Sequence, residues 1–226
     1  MSNNWYLRNV IKGFFVFLLT VVIIFLLAGR ITYWQGWVYG GTNFLLLLII
    51  SIIFASKADL VKERLEPGPG IKGWDKILFY GLYIPIFYAV FIIATLDAGR
   101  FLWTAPLPVS VYIISYIAYF FSQFIHHWAM WVNRFYSSVV RIQTGQEVVQ
   151  NGPYQFVRHP GYVGGILMAI SSPLIFGSLW ALIPAAMVVI LLIIRTYLED
   201  ITLQKELPGY TDYTKKVRYR LLPGIW

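Results

Sequence analysis

Cysteine is absent from the 226-residue chain, which excludes disulfides, thiolate metal sites and a cysteine nucleophile. Charge is scarce as well. Asp, Glu, Lys and Arg together make up 12% of the residues, about half the ~25% of a soluble globular domain. Hydrophobic residues take 58%, so lipid is the expected solvent for much of the surface. The sequence has no HExxH helix, Walker loop, Rossmann fingerprint or GxSxG elbow, so no metal site and no common nucleotide or serine-hydrolase site is expected. Internal repeats, low-complexity tracts and a second domain are also lacking. A cleavable signal peptide is not expected, because the first apolar run is long and no small-residue cleavage site follows it.

What is present is a series of long uncharged runs at 13–29, 37–56, 77–96 and 101–125. Each approaches the ~20 residues that a helix needs to cross ~30 Å of hydrocarbon. A fifth run, 161–194, is too long for one crossing. Pro173 and the following Phe176-Gly177-Ser178 supply a break, so a tight helical hairpin is expected there. The reading is an all-α integral membrane protein of about six transmembrane helices, the last two forming that hairpin. It is a single membrane domain, with three spans in residues 1–106 and a core in 107–226.

The distribution of basic residues tests this count. Under six spans, sixteen of the 18 lysines and arginines fall in alternate segments and two in the others. That asymmetry predicts cytoplasmic N- and C-termini. It also accounts for the formal charge of +8 without nucleic acid as a partner. The 133–158 connector, the end of the last span and the C-terminal tail then share the cytosolic side.

The connector ends in GPYQFVRHPGYVGG, residues 152–165. Pro160 suits the first position of a helix and biases His159 toward extended backbone. Such a helix start presents unpaired N–H groups to a carboxylate or phosphate, and Gly161, Gly164 and Gly165 allow close approach. The competing reading is an interfacial belt, with Tyr154, Phe156 and Tyr162 at headgroup depth and Arg158 snorkelling. Further on, Arg195 and Glu199 stand four apart, on one helical face. They are either an interfacial ion pair or a divided site, with Arg195 holding a substrate anion and Glu199 a cofactor ammonium or hydroxyl. His126 and His127 point to different faces of a helix, so interfacial packing suits them better than metal binding.

Together, GPYQFVRHPGYVGG, the hairpin, Arg195-x-x-x-Glu199-Asp200, Tyr210-x-x-Tyr213 and VRYRLLP resemble the isoprenylcysteine carboxyl methyltransferase family, relatives of the phospholipid N-methyltransferases. The likeness covers roughly residue 133 to the C-terminus. It implies a membrane enzyme using S-adenosyl-L-methionine on a lipophilic small-molecule or lipidated substrate, with carboxyl O-methylation as the leading expectation. Carried over by position, Gln146, Glu147, Val148 and Val149 match the stretch that lines the cofactor site. Tyr154 matches the turn tyrosine, and His159, Pro160, Gly161 and Tyr162 match the histidine-proline-x-tyrosine contact. Glu199 matches the cofactor-binding acid, Arg195 the substrate-side arginine, and Arg141 falls near a polar cofactor contact. Asp200 stands where the family has the second glutamate of a pair. The alternatives are N-methylation of a phospholipid-type acceptor, an NADPH-dependent sterol or enone reductase with a similar turn and tail, and a non-enzymatic membrane protein.

Overall fold

A computed structural model describes residues 2–226, and among them there is no strand. Five helices are long and apolar enough to cross a membrane. They are α1 (Ser2–Ala28), α2 (Trp34–Leu65), α3 (Gly73–Phe101), α4 (Val109–Val132) and α6 (Leu182–Glu206). Between the last two lies α5 (Pro160–Ile175), 16 residues long. It extends about 24 Å at ~1.5 Å per residue, short of a full ~30 Å hydrocarbon layer. A short α7 (Tyr210–Lys216) lies in the tail. Large apolar side chains such as Phe15, Leu26, Ile52, Val109 and Ile117 are exposed along the helices, as expected where lipid replaces water as the neighbour.

The helices differ from the hydropathy runs where charges or prolines intervene. α2 continues through Lys57, Lys62 and Arg64, which the sequence reading placed in a loop. α3 begins at Gly73 and carries Asp75 inside it. It ends at Leu102, whose φ of 56° is left-handed, with its N–H donating to the Asp97 carbonyl at 2.6 Å. α4 starts at Val109 instead of 101, because Pro106 and Pro108 keep the preceding stretch out of helix. The 161–194 run divides at 176–181, at the Phe176-Gly177-Ser178 part of the expected break and not at Pro173. Pro173 lies within α5, and Gly177 at φ +81° makes the turn.

Two packing features position the site. The closest helix pairing is α4 on α5, made possible by small residues. A Cβ added at Gly164 would lie 2.9 Å from the Ser122 carbonyl, so the backbones touch only because the side chain is missing. At the other end of α5, Phe176 is fully buried among Tyr33, Tyr39 and Phe91, and the Tyr33 hydroxyl donates to its carbonyl at 2.6 Å. There too the fully buried Asp97 accepts from the Thr104 N–H, the Thr104 hydroxyl and the Ser178 hydroxyl at 2.7, 2.6 and 2.5 Å. The α5–α6 turn is thereby tied to α3.

Candidate functional site

At the opposite end, the start of α5 faces the C-terminal half of α6 across a cavity of about 450 Å³, within the ~300–1,000 Å³ range of ligand pockets. The connector and α7 close it from the polar side. Every residue selected from the sequence lines this cavity: Arg141, Gln146 to Val149, Tyr154, His159 to Tyr162, Arg195 and Glu199. Its lining also includes the apolar side chains of Phe79 of α3, Met168 of α5 and Leu192 of α6, and the ring of Tyr83 of α3.

Glu199 and Asp200 are neighbours with separate surroundings. Glu199 faces the cavity and accepts a short hydrogen bond from the Tyr162 hydroxyl. Asp200 points away from it and is fully buried. It accepts from Arg158 Nε and Nη2 (2.8 and 3.0 Å), Arg220 Nε (2.9 Å), Tyr210 (3.0 Å) and Gln204 (2.9 Å). Arg158 also donates to the carbonyls of Val217 and Arg218, and its own N–H bonds the Tyr219 carbonyl. Asp200 therefore fastens the tail to the turn before α5, which answers what an aspartate does at this position. Arg158 is buried and ion-paired, so the snorkelling reading of that residue is overturned.

Arg195 does not form the helical pair with Glu199. Its Nε and Nη2 bond the two oxygens of Asp75 at 2.6 and 3.0 Å, and Nη2 also bonds the Ser138 carbonyl at 2.6 Å. Asp75 is fully buried and accepts the Val140 N–H as well, at 2.7 Å. One carboxylate thus ties α3, α6 and the connector together. The sequence reading missed Asp75. The available signal was an acid at the very start of an apolar run, where a membrane helix would otherwise leave it unpaired.

The remaining positions divide by engagement. His159 is buried, with Nε2 3.3 Å from Asp200 Oδ1 and 3.4 Å from the Tyr210 hydroxyl, so its ring is already partnered. Arg141 is tied to Glu63 at 2.6 Å and to the Pro69 carbonyl at 3.2 Å. The Gln146 side chain accepts the Gln143 N–H and stays within its own turn. Glu147 meets Arg134 at 3.2 Å in an exposed pair. From Glu147 to Val149 the backbone has no regular secondary structure and makes no main-chain hydrogen bond among the described residues, so its N–H and C=O groups are available to a flat heteroaromatic edge.

Three aromatic residues shape the chamber floor. Tyr154 accepts from Asn133 at 3.1 Å, and its carbonyl accepts from Tyr213 at 2.6 Å. Tyr136 packs near His126, with which its hydroxyl is 3.4 Å apart. It also covers Gly161, where any Cβ would overlap the Tyr136 hydroxyl. Burial raises the pKa of Tyr136, Tyr154 and Tyr213 above the ordinary tyrosine value, so these hydroxyls stay protonated near neutral pH. His126, read from sequence as packing, also lines the cavity.

No curated protein matches the chain. The family model described as Isoprenylcysteine carboxyl methyltransferase (ICMT) family matches residues 112–205, the segment from α4 through most of α6 that lines much of the cavity. Over that segment the chain is similar to this family.

Proposed function

We propose that the protein transfers a methyl group from S-adenosylmethionine to the carboxylate of a lipophilic, isoprenylcysteine-like acceptor at the cytosolic face of its membrane. The observation that carries this reading is the cavity's double character. Its lining combines Glu199, free backbone groups and tyrosine hydroxyls with the apolar side chains of Phe79, Met168 and Leu192 and the ring of Tyr83. The residues present suit the cofactor. Glu199 forms no ion pair among the described residues and suits an ammonium. The Glu147–Val149 backbone, without main-chain partners among the described residues, suits an adenine edge. The preponderance of basic residues on one side supports a cytosolic location for this end and for both termini.

Bound S-adenosylmethionine supplies a methyl carbon attached to a positively charged sulfur. The residues of the chain then have three tasks. Arg195 is locked by Asp75, and its Nη1 makes no hydrogen bond among the described residues, so it can orient an acceptor oxygen with its charge already balanced. The apolar lining holds the acceptor tail and keeps water out. With the cofactor bound, the chamber would hold a carboxylate oxygen in line with the methyl carbon, where a C–O bond would form as the C–S bond breaks. This step converts an anion and a cation into a neutral ester and a neutral thioether, so a water-poor pocket favours it. A carboxylate is ionised at neutral pH and needs no general base. That agrees with the engagement of both candidate bases, Glu199 by Tyr162 and His159 by Asp200 and Tyr210.

The test is incubation of the purified protein with methyl-labelled cofactor and total membrane extract. Label in lipophilic product that is released by mild base is the expected result. Base-stable label would move the assignment to N-methylation, and absence of transfer would remove the methyltransferase reading of this chain.

A further inference from the structure

The ionisable groups around the cavity are nearly all paired. Arg141 is matched by Glu63, Arg158 by Asp200, Arg195 by Asp75 and Glu147 by Arg134. Two cavity-lining charges have no ion pair among the described residues, Glu199 and Arg64. Arg64 lies in the last turn of α2, and its guanidinium makes no hydrogen bond among the described residues. Its backbone carbonyl accepts the Ser138 hydroxyl at 3.0 Å, which fixes the helix end against the connector. The guanidinium carbon sits 5.3 Å from the centre of the Tyr136 ring.

Tyr136 separates two surroundings. On one side it packs with the cluster of Tyr154, Leu207, Tyr210 and Tyr213, and on the other with Phe54 and Leu60 of α2. Arg64 belongs to the α2 side and Glu199 to the side of α6. The cavity wall thus offers one uncompensated cation and one uncompensated anion, carried by different helices with an aromatic ring between.

We infer that Arg64 is the acceptor-binding residue of this chain, recognising the anionic head of the substrate before methyl transfer. The inference rests on the methyl-transfer reading for the identity of that head as a carboxylate. Arg195 is neutralised by Asp75 and contributes direction, while Arg64 contributes net charge. A guanidinium engaging one carboxylate oxygen leaves the other to react. Methylation then removes the negative charge, and with it the attraction to Arg64. The same residue therefore favours binding of the free acid and release of the ester.

The probe is the farnesyl thioether of N-acetylcysteine, with its carboxamide and methyl ester as uncharged analogues. Equilibrium binding to the full chain in detergent, without cofactor, is measured beside binding of S-adenosylhomocysteine. The wild type should prefer the acid over both analogues by about ten- to a hundredfold, the span expected for a charge-assisted contact. Arg64→Gln should abolish that preference and raise KM for the acid by a similar factor, with affinity for S-adenosylhomocysteine unchanged. Arg64→Lys should retain part of the preference. An Arg64→Gln variant that still prefers the acid overturns the assignment. So does one that weakens S-adenosylhomocysteine binding instead, because Arg64 would then hold the cofactor's own carboxylate. A wild-type protein that binds no S-adenosylhomocysteine removes the methyl-transfer reading, and the assignment with it.

Discussion

The two ends of α5 hold buried acids by different means. At the Phe176 end, Asp97 is surrounded by neutral donors, the Thr104 N–H and two hydroxyls. At the Pro160 end, Asp75 and Asp200 are each held by arginine. Short neutral donors join Asp97 to two places, Thr104 beyond the end of α3 and Ser178 of the α5–α6 turn. Arginine reaches further and carries several donors in a rigid fork. Asp75 therefore connects α3 to α6 and to residues 138–140, and Asp200 connects α6 to the turn and the tail. The first arrangement closes a helix turn. The second holds several segments apart around a space, which is what a ligand chamber needs.

This comparison is broken most forcefully at Asp200. Asp200→Ala leaves Arg158 and Arg220 without their buried partner, and removing one member of such a pair costs about 3–5 kcal/mol. Loss of methyl transfer, a large fall in Tm and faster proteolysis beyond residue 206 are expected together. A stably folded, active variant would show that the tail is held by other contacts. Glu199→Gln sharpens the contrast, because the amide still accepts from Tyr162 while the charge is lost. Its affinity for S-adenosylhomocysteine, measured by calorimetry, should fall about ten- to a hundredfold with little change in Tm. Asp97→Asn is the smallest effect. It replaces an acceptor with an amide among donors and should cost about 1–3 kcal/mol of stability, with cofactor affinity per folded molecule unchanged. A drop in that affinity would mean that the two ends are mechanically coupled.

Much of the cavity was legible because its markers are local in sequence. Pro160 after an extended histidine announces a helix start, and glycines at 161 and 164 announce close packing. The fold brings Tyr154, Tyr162 and Glu199 to one space, as their likeness to a known pattern implied. What escaped is non-local. Asp75 and Arg64 lie some 120 and 70 residues from the groups that give them meaning, Arg195 and Tyr136, and beyond the position of Asp75 at the start of an apolar run nothing local sets them apart from loop charges. The pairing of Arg195 with Glu199 looked natural because spacing on one helix is visible from sequence. A partner on another helix is not, and the fully buried Asp75 holds Arg195 through both of its oxygens. Helix boundaries slipped for a related reason. Hydropathy ends a run at a charge, whereas α2 and α3 continue through charges that find partners or reach the interface.

Asp75, Phe79, Tyr83 and Arg64 all precede the 112–205 segment that matches the family model, yet Phe79, Tyr83 and Arg64 line the same cavity as Glu199. If the chamber transfers methyl groups as proposed, donor chemistry is written in the matched segment, while acceptor choice draws on both halves of the polypeptide. Exchange of the first three helices between relatives would then redirect the enzyme to a new lipid while leaving its methyl source untouched.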